Sequence, residues 1–201
     1  MELLGGARDI ERALLAVGEL VEATGDRYSV VIIGGAALNL LGFVTRATRD
    51  VDILAFAAPA TGRSNATLIA PPTPLPEPLA KAIRTVGRDF GLADDWLNTV
   101  PSLQWKAGLP PGLAGRIQWR DYAALRVGIT GRRDLIWLKL FAAADQGGRH
   151  ARDLLALAPT DDELGEAAEW VKGQDVNKEQ FPRTVDDVVT YVRNNRGSAN
   201  R

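Results

Sequence analysis

Two adjacent glycines between a β-branched run and a helix-forming run constrain this chain more than any other feature. Residues 29–33 (SVVII) predict a short buried strand, and residues 36–41 predict the start of a helix. Gly34 and Gly35 separate the two. Glycine lets a backbone approach a ligand closely, and a helix start offers free N–H groups and the positive end of the helix dipole. The stretch therefore predicts a strand–turn–helix unit suited to binding phosphate.

Two aspartates follow the glycine pair at the next predicted strand, residues 51–56. Asp50 and Asp52 are two residues apart, so both side chains are expected on one face of that strand. Paired carboxylates are suited to divalent cations with oxygen ligands, Mg²⁺ or Mn²⁺. Such cations bridge phosphates and stabilise in-line displacement. A phosphate-binding turn beside two carboxylates indicates nucleoside triphosphate chemistry.

Composition excludes several other kinds of chemistry. The chain has no cysteine and a single histidine, His150. Disulfides, cysteine nucleophiles and multi-histidine metal sites are therefore excluded, and a serine–histidine–aspartate triad is disfavoured. The formal net charge of −1 argues against a surface that is basic all over. Residues 112–153 nevertheless carry a net charge of +4, a local excess that could line a nucleotide or RNA site.

Neither the apolar runs nor the N-terminus predicts a membrane segment or a signal peptide. The most apolar stretch, residues 30–43, is short and glycine-rich, whereas a membrane helix needs about 20 apolar residues. Charged residues interrupt the first twenty positions, and no basic stretch leads them. We therefore expect a cytoplasmic protein without membrane partners.

Hydrophobic periodicity and turn residues predict an α/β chain in which helices and short strands are mixed. Thr160 and Glu163 form a capping-box pattern for the helix that runs to about Val171, and Thr184 is predicted to cap the last helix. Residues 57–78 are predicted to be a long proline-rich loop. The predicted helices cover 7–24, 36–41, 79–90, 132–145, 149–158, 160–171 and 184–193; the strands cover 29–33, 51–56, 117–119 and 125–130.

The pattern strand–Gly-Gly–helix–Arg-x-Thr-x-Asp-x-Asp resembles the minimal nucleotidyltransferases of the DNA polymerase β superfamily. Within it, Arg46, Thr48, Asp50 and Asp52 look most like the AbiEii-type group, which includes toxins of bacterial toxin–antitoxin pairs. The strong resemblance covers residues 29–54. A looser one covers Lys139 in a helix and the following Arg-x-x-Arg-Asp run over 149–153, and residues 95–98 also look like uncharacterised nucleotidyltransferase-like bacterial proteins.

The resemblance implies a nucleotidyltransferase fold, with a short mixed sheet flanked by helices and a helical C-terminal region. Residues 1–130 would form the core, and residues 131–201 would pack on it. It also implies Mg²⁺-dependent (or Mn²⁺-dependent) transfer of a nucleoside monophosphate from an NTP to a hydroxyl acceptor. The acceptor would be an RNA end such as that of a tRNA, a protein or a small molecule, and a cognate antitoxin would be a possible partner.

The resemblance also assigns roles to individual residues. Asp50 and Asp52 would hold the metal, and Asp153 would complete the acidic site or activate the acceptor. The groups that would bind the nucleotide are Gly34 and Gly35 through their backbone, together with Arg46, Thr48, Arg49 and Lys139. With Asp50 and Asp52, Lys139 and Asp153 are the candidate catalytic residues.

One departure from the superfamily pattern leaves a second interpretation open. Many members carry a third carboxylate on a later strand, but the candidate strand 125–130 has none. The alternative is a catalytically inactive binding module with the same fold, such as a nucleotide sensor or an antitoxin-like partner. Independently of either function, Lys139 could simply extend its charge from a core helix to solvent, and Arg149, Arg152 and Asp153 could form a surface ion-pair cluster.

Overall fold

The structure is a computed structural model that describes residues 2–58, 66–174 and 179–196. Over these ranges the α-helices are α1 (Ala7–Glu22), α2 (Gly34–Leu40), α3 (Glu77–Asp89), α4 (Gln104–Ala107), α5 (Arg132–Gln146), α6 (Arg149–Ala156), α7 (Asp161–Lys172) and α8 (Phe181–Asn195). The strands are β1 (Tyr28–Ile33), β2 (Val51–Ala57), β3 (Leu68–Ile69), β4 (Leu97–Asn98), β5 (Gln118–Tyr122) and β6 (Leu125–Ile129). Single 3₁₀ turns cover Val100–Leu103 and Leu113–Arg116.

The strands of the described residues form one mixed sheet. Its order is β3-β2-β1-β6-β5, and β4 also pairs with β2. The β1–β6 and β2–β4 pairs are parallel, and the β1–β2, β2–β3 and β5–β6 pairs are antiparallel. Helices flank this sheet, as expected of an α/β chain with a nucleotidyltransferase-like fold. Among the helices of these residues, none is both long and apolar enough to cross a membrane.

Close contacts divide the chain into two compact units. The first consists of Met1–Trp105 and Gly112–Thr130 and contains the sheet. The second consists of Lys106–Pro111 and Gly131–Arg201 and contains α5 to α8. The short segment Lys106–Pro111 belongs to the second unit, although about 20 residues separate it from Gly131, where the rest of that unit begins. No local sequence pattern predicts this.

Helix α1 packs against β5 and β6 through a close approach at Gly18. A β-carbon at this position would overlap the backbone oxygen of Tyr122 and lie 3.3 Å from the β-carbon of Leu125. The buried face of α1 presents Ile10, Leu14, Val17 and Val21, which recur at helical spacing as the sequence predicts. Gly18 therefore sets the distance between this helix and the turn that joins the two strands.

Replacing Gly18 with alanine is expected to lower the free energy of unfolding by about 1–3 kcal/mol, because a rigid backbone atom occupies the space the methyl group needs. Gly165 provides a matched control in α7, since a β-carbon there meets nothing within 4 Å. The Gly165→Ala variant is expected to gain about 0.5–1 kcal/mol from helix propensity. Urea unfolding followed by circular dichroism measures both. Equal stability changes in the two variants would contradict the close packing at Gly18.

In the second unit, α6, α7 and α8 pack against α5. Helix α5 is buried on nearly every side between positions 134 and 140, which is typical of a core helix. Aromatic pairs link it to its neighbours: Trp137 lies 5.4 Å from Trp170, and Phe141 lies 5.6 Å from Phe181, measured between ring centroids. The apolar side chains of this segment therefore pack against the other helices of the second unit.

The predicted capping box of α7 is confirmed. The Glu163 N–H donates to Thr160 Oγ1 at 3.2 Å, and the Thr160 N–H donates to Glu163 Oε2 at 2.8 Å. Arg132 of α5 also donates to both carboxylate oxygens of Glu163. The hydrogen bond from Arg132, assisted by that from Thr160, lowers the pKa of Glu163 below its ordinary value of 4.5 against the opposing effect of burial.

This depressed pKa makes the stability of the protein depend on pH through Glu163. Because the pKa is lower in the folded state, the stabilisation is present above about pH 4.5 and is lost as the pH falls through the folded-state pKa. We expect Glu163→Gln to be less stable than the native chain near neutral pH and to lose less stability on acidification. Glu166→Gln is the control, since the Glu166–Arg133 pair is exposed and contributes little. Urea midpoints at a series of pH values measure the slopes; identical slopes for Glu163→Gln and the native chain would refute this.

Some elements differ from the sequence-based expectation. The last helix begins at Phe181 rather than near Thr184, because Pro182 is favourable in a first helical turn; Thr184 lies inside the helix, where its hydroxyl donates to the Gln180 carbonyl at 3.2 Å. The predicted loop 57–78 contains β3 and the first residues of α3, and its residues 59–65 lie outside the described part of the chain. Strand β4 lies in a segment for which no strand is predicted from the sequence.

Candidate functional site

The turn between β1 and α2 brings Gly34 directly against the carboxylate of Asp52. Gly34 has a φ of +76°, a backbone conformation that residues other than glycine rarely adopt. A β-carbon here would overlap Oδ2 of Asp52 and lie 3.3 Å from its Cγ. Glycine is therefore required at position 34 for the backbone conformation and for the approach of the carboxylate.

A β-bulge in β2 sets the register that brings these two residues together. Val31 pairs with Ala55, whereas Ile32 pairs with Ile53, so Leu54 is one extra residue on β2. A one-residue shift moves the side chains beyond the bulge, here those of Ile53 and Asp52, to the opposite face of the sheet. Bulges are common near functional sites, where they change the direction of a side chain. The indole N–H of Trp105 donates to the Leu54 carbonyl at 2.7 Å and satisfies the backbone there.

Strand β4 places Asn98 beside Asp52. The two are partners in the parallel β2–β4 pair, and the Asn98 amide Nδ2 donates to Asp52 Oδ1 at 3.4 Å. The same Nδ2 donates to the Asp95 carbonyl at 3.3 Å, while the Val100 N–H donates to Asn98 Oδ1 at 2.9 Å. The Val100 N–H therefore fixes which side of the amide faces Asp52.

Thr48 and Arg46 lie next to the second glycine of the pair. A β-carbon on Gly35 would lie 3.0 Å from Thr48 Oγ1 and 3.7 Å from a guanidinium nitrogen of Arg46. Thr48 is buried, its hydroxyl donates to the Asp50 carbonyl at 3.2 Å, and its backbone forms a two-way bridge with Leu4. Thr48 thus holds the segment before β2 in place, and Arg46 is the exposed cation beside the glycine turn.

The two remaining predicted residues of this segment lie at the start of β2. Asp50 is half-buried and comes directly before the strand, so Asp52 is the carboxylate that lies within it. Arg49 is exposed, and its guanidinium lies 3.2 and 3.3 Å from the two carboxylate oxygens of Asp95. Such an exposed ion pair contributes little to stability.

The structure places Lys139 and Asp153 in the second unit, where they contact each other. Lys139 Nζ of α5 lies 2.6 Å from Asp153 Oδ2 of α6, and only 5% and 3% of the two residues are exposed. Removal of one partner from a buried ion pair commonly costs about 3–5 kcal/mol, because the other charge is left uncompensated. This contact gives both residues a structural role, and their roles toward a nucleotide stay predictions.

The carboxylates at the start of β2 are of the chemical type that holds a divalent cation. Asp50 and Asp52 would supply the oxygen ligands, and a β-carbon at Gly34 would overlap Oδ2 of Asp52. In the described ranges, no group of three or more metal-ligating side chains is present. Mg²⁺ is usually held by one or two carboxylates, with substrate phosphates and water as the other ligands, so two carboxylates are sufficient.

Comparison with known families gave a match in the segment that contains these residues. Residues 12–64 match a family model, "Nucleotidyltransferase of unknown function (DUF6036)". The matched segment contains the glycine turn and both aspartates, and it supports a nucleotidyltransferase-like family. Neither the curated proteins nor the solved structures gave a match to this chain.

Sequence reasoning missed the parts played by Asn98 and Trp105. Asn98 lies in a segment that predicts a turn, and Trp105 lies in a region without periodicity. The resemblance over 95–98 was the available signal for Asn98, but it does not indicate which strand the segment joins. A tryptophan can donate only one hydrogen bond, and nothing local indicates that its acceptor is the Leu54 carbonyl.

Proposed function

We propose that this chain is a nucleotidyltransferase that moves a nucleoside monophosphate from an NTP to a hydroxyl acceptor with the help of Mg²⁺ or Mn²⁺. The observation that carries the proposal is the contact between the Gly34 backbone and the Asp52 carboxylate. Glycine backbone that a phosphate could approach would then lie next to a carboxylate oxygen, the type of ligand that Mg²⁺ prefers. The family match over residues 12–64 supports the same class of reaction.

The first unit supplies three kinds of group for this chemistry. The Gly34–Gly35 backbone would bind phosphate oxygens through its N–H groups. Ile33, the residue before α2, has no side-chain oxygen that could accept hydrogen bonds from these N–H groups in place of a phosphate. Arg46 would bind the triphosphate as an exposed cation beside Gly35. Asp50 and Asp52 would hold the cation, which when bound neutralises charge on the phosphates and stabilises in-line displacement.

In the reaction, the acceptor hydroxyl oxygen forms a bond to the α-phosphorus of the NTP. The bond between that phosphorus and the oxygen bridging to the β-phosphate breaks, pyrophosphate leaves, and the hydroxyl proton is released. Most of the protein's contribution to such a transfer is positioning and electrostatic stabilisation. This fits a chain with no cysteine and one histidine, because carboxylates and cations are the groups that remain.

The proposal is tested by incubating the purified chain with each of the four α-³²P-labelled NTPs, Mg²⁺ or Mn²⁺, and either total RNA or protein from a cell lysate. Label is expected in one acceptor class with one preferred nucleotide. Electrophoresis after nuclease or protease digestion identifies the acceptor class. No transfer with any nucleotide, metal or acceptor would contradict a nucleotidyltransferase activity.

A toxin role in a toxin–antitoxin pair is the more specific form of this proposal, with an RNA end such as that of a tRNA, or a protein, as the acceptor. It rests on the resemblance of Arg46, Thr48, Asp50 and Asp52 to the AbiEii-type pattern. Induced expression in a bacterial host is expected to slow growth, and Asp52→Asn is expected to restore it. Growth inhibition that persists in Asp52→Asn would show that toxicity does not depend on nucleotidyl transfer.

One observation favours a second candidate, a nucleotide-binding module without activity. Lys139, the predicted triphosphate ligand, is engaged by Asp153 in a buried ion pair. Isothermal titration with ATP, CTP, GTP and UTP in the presence of Mg²⁺ separates the two candidates when read beside the transfer assay. Binding without transfer supports the module, and binding with transfer supports the enzyme.

A further inference from the structure

We infer that Trp105 is a positioning residue, whose indole N–H holds the β-bulge of β2 and thereby fixes the face of the sheet on which Asp52 lies. The inference rests on the proposed function, in which Asp52 would hold the cation. Trp105 lies in α4, outside the sheet, and its Nε1 is 2.7 Å from the carbonyl oxygen of Leu54, the extra residue of the bulge. Trp105 thus acts on Asp52 through the backbone of β2.

The apolar side chains of β2 do not select its register. Residues 53–57 are all apolar and all buried, so both faces of this part of the strand are apolar. A one-residue slip is costly where it exchanges an apolar face for a polar one, and here it would exchange one apolar face for another. The bulge therefore needs an interaction other than apolar packing to keep it in place.

Asp52 is the residue for which the register matters. Without the bulge, the pairing of β1 and β2 would place Asp52 opposite Gly34 instead of Ile33. Residues that pair directly share a face of the sheet, so Asp52 would then lie on the same face as Ile32. Ile32 and its partner in β6, Ile129, are fully buried. A carboxylate on that face would be far from water, and only the bulged register keeps Asp52 away from it.

The backbone of the bulge is where Trp105 acts. A β-bulge disrupts the ladder and leaves its extra residue without a strand partner, and a buried carbonyl without a hydrogen bond is costly. Leu54 is fully buried, and the indole N–H of Trp105 donates to its carbonyl. An indole N–H can donate one hydrogen bond and cannot accept any, so this donor is committed to Leu54.

The segment that carries Trp105 is attached to β2 at its other end as well. Asn98 of β4 pairs with Asp52, and Trp105 contacts Leu54 two residues further along β2. Between these contacts, the Val100 N–H donates to Asn98 Oδ1 at 2.9 Å, at the start of the 3₁₀ turn that leads to α4. The stretch 98–105 therefore contacts β2 on both sides of the residue between Asp52 and Leu54, and the position of Asp52 depends on both contacts.

The first test is Trp105→Phe, which removes the indole N–H and keeps an aromatic ring at this half-buried position. We expect kcat for transfer of label from the preferred α-³²P-NTP to fall about 10–100-fold, because displacement of a positioned group by about 1 Å has an effect of this size. KM for the NTP is expected to change little, since other residues would bind the triphosphate. A native kcat in the folded variant overturns the inference.

Amide hydrogen exchange, followed by NMR, provides a second measurement that does not depend on activity. In Trp105→Phe the amides of residues 52–56 are expected to exchange about 5-fold faster, which corresponds to the loss of one hydrogen bond. Unchanged exchange in these residues overturns the inference.

Trp119→Phe is the matched control. Trp119 is a half-buried residue of β5, three strands away from β2, and its ring lies over Gly128. Its variant is expected to keep the native kcat and the native exchange of residues 52–56. If both variants lose the same activity, the loss of aromatic packing explains the effect, and the inference about Trp105 is overturned.

Two further outcomes keep the result interpretable. If Trp105→Phe does not fold by circular dichroism, a chain with 3-benzothienylalanine at position 105 decides, because this residue replaces the indole N–H with sulfur and keeps the shape of the ring. A native kcat in that chain overturns the inference. If the native chain transfers no nucleotide, the proposed function fails, and amide exchange then judges by itself whether Trp105 holds the bulge.

Discussion

Replacing Asp52 with asparagine is expected to lower Mg²⁺-dependent nucleotidyl transfer at least about 100-fold, because the metal loses a charged ligand while the shape of the side chain is kept. Gly34 and Asn98, which contact this carboxylate, would contact the amide in its place. The fold is therefore expected to persist, with a thermal unfolding midpoint close to that of the native chain. Transfer of label from the preferred α-³²P-NTP measures the loss.

Asp121→Asn provides the matched control for this variant. Asp121 is an exposed residue of β5 whose carboxylate lies 3.5 Å from Arg126, so the substitution removes the same charge away from the candidate site. Its transfer rate is expected to equal that of the native chain. If Asp52→Asn has the activity of the native chain, Asp52 is not part of the catalytic site. If both variants lose the same activity, the change in net charge explains the loss, and not the removal of a metal ligand.

Replacing Gly34 with alanine is expected to lower nucleotidyl transfer by about 100-fold, since displacement of a positioned group by about 1 Å commonly has an effect of this size. The methyl group would overlap Oδ2 of Asp52, so either the carboxylate or the glycine turn must move. The positive φ of +76° adds a backbone penalty of about 1 kcal/mol to the folded state. Label transfer and urea unfolding measure the two effects separately.

Gly25 makes this prediction specific to the site. It has nearly the same φ, +79°, but a β-carbon there would meet nothing within 4 Å. Gly25→Ala is therefore expected to lose about the same 1 kcal/mol of stability and to keep its full transfer rate. A similar loss of activity in the two variants would mean that general destabilisation, and not the contact with Asp52, explains the effect.

The basic segment 112–153 shows where charge counting from a sequence is incomplete. Of its eight cations, at least five contact carboxylates of the same chain: Arg120 with Glu11, Arg126 with Asp121, Arg132 with Glu163, Arg133 with Glu166, and Lys139 with Asp153. Arg120 also donates to the carbonyl of Leu40 at the end of α2. Three of these carboxylates, those of Glu11, Glu163 and Glu166, lie outside the segment, so they offset three of its four net positive charges. Less charge is therefore left to attract a nucleotide or RNA than the count suggests.

Several features of this protein follow from the sequence by itself, because they depend on interactions between close neighbours in the chain. The period of the apolar residues predicts α1, α3 and α5, and β-branched runs predict β1 and β2. Thr160 and Glu163 predict the capping box, since both partners lie within one turn. The glycine pair and Asp-x-Asp indicate the class of chemistry, and the α/β fold with a mixed sheet is confirmed.

Only the tertiary structure decided how these local pieces meet. Asp52 and Asn98 are 46 residues apart and Leu54 and Trp105 are 51 apart, and they meet because β4 pairs with β2 and Trp105 donates to the bulged residue. Strand β4 is two residues long, too short to carry a periodic signal. Likewise, the sequence allows more than one environment for Lys139 in its apolar helix. The packing of α6 against α5 decides that it forms an ion pair with Asp153. Long-range pairing is set by the fit of whole elements, which no local pattern records.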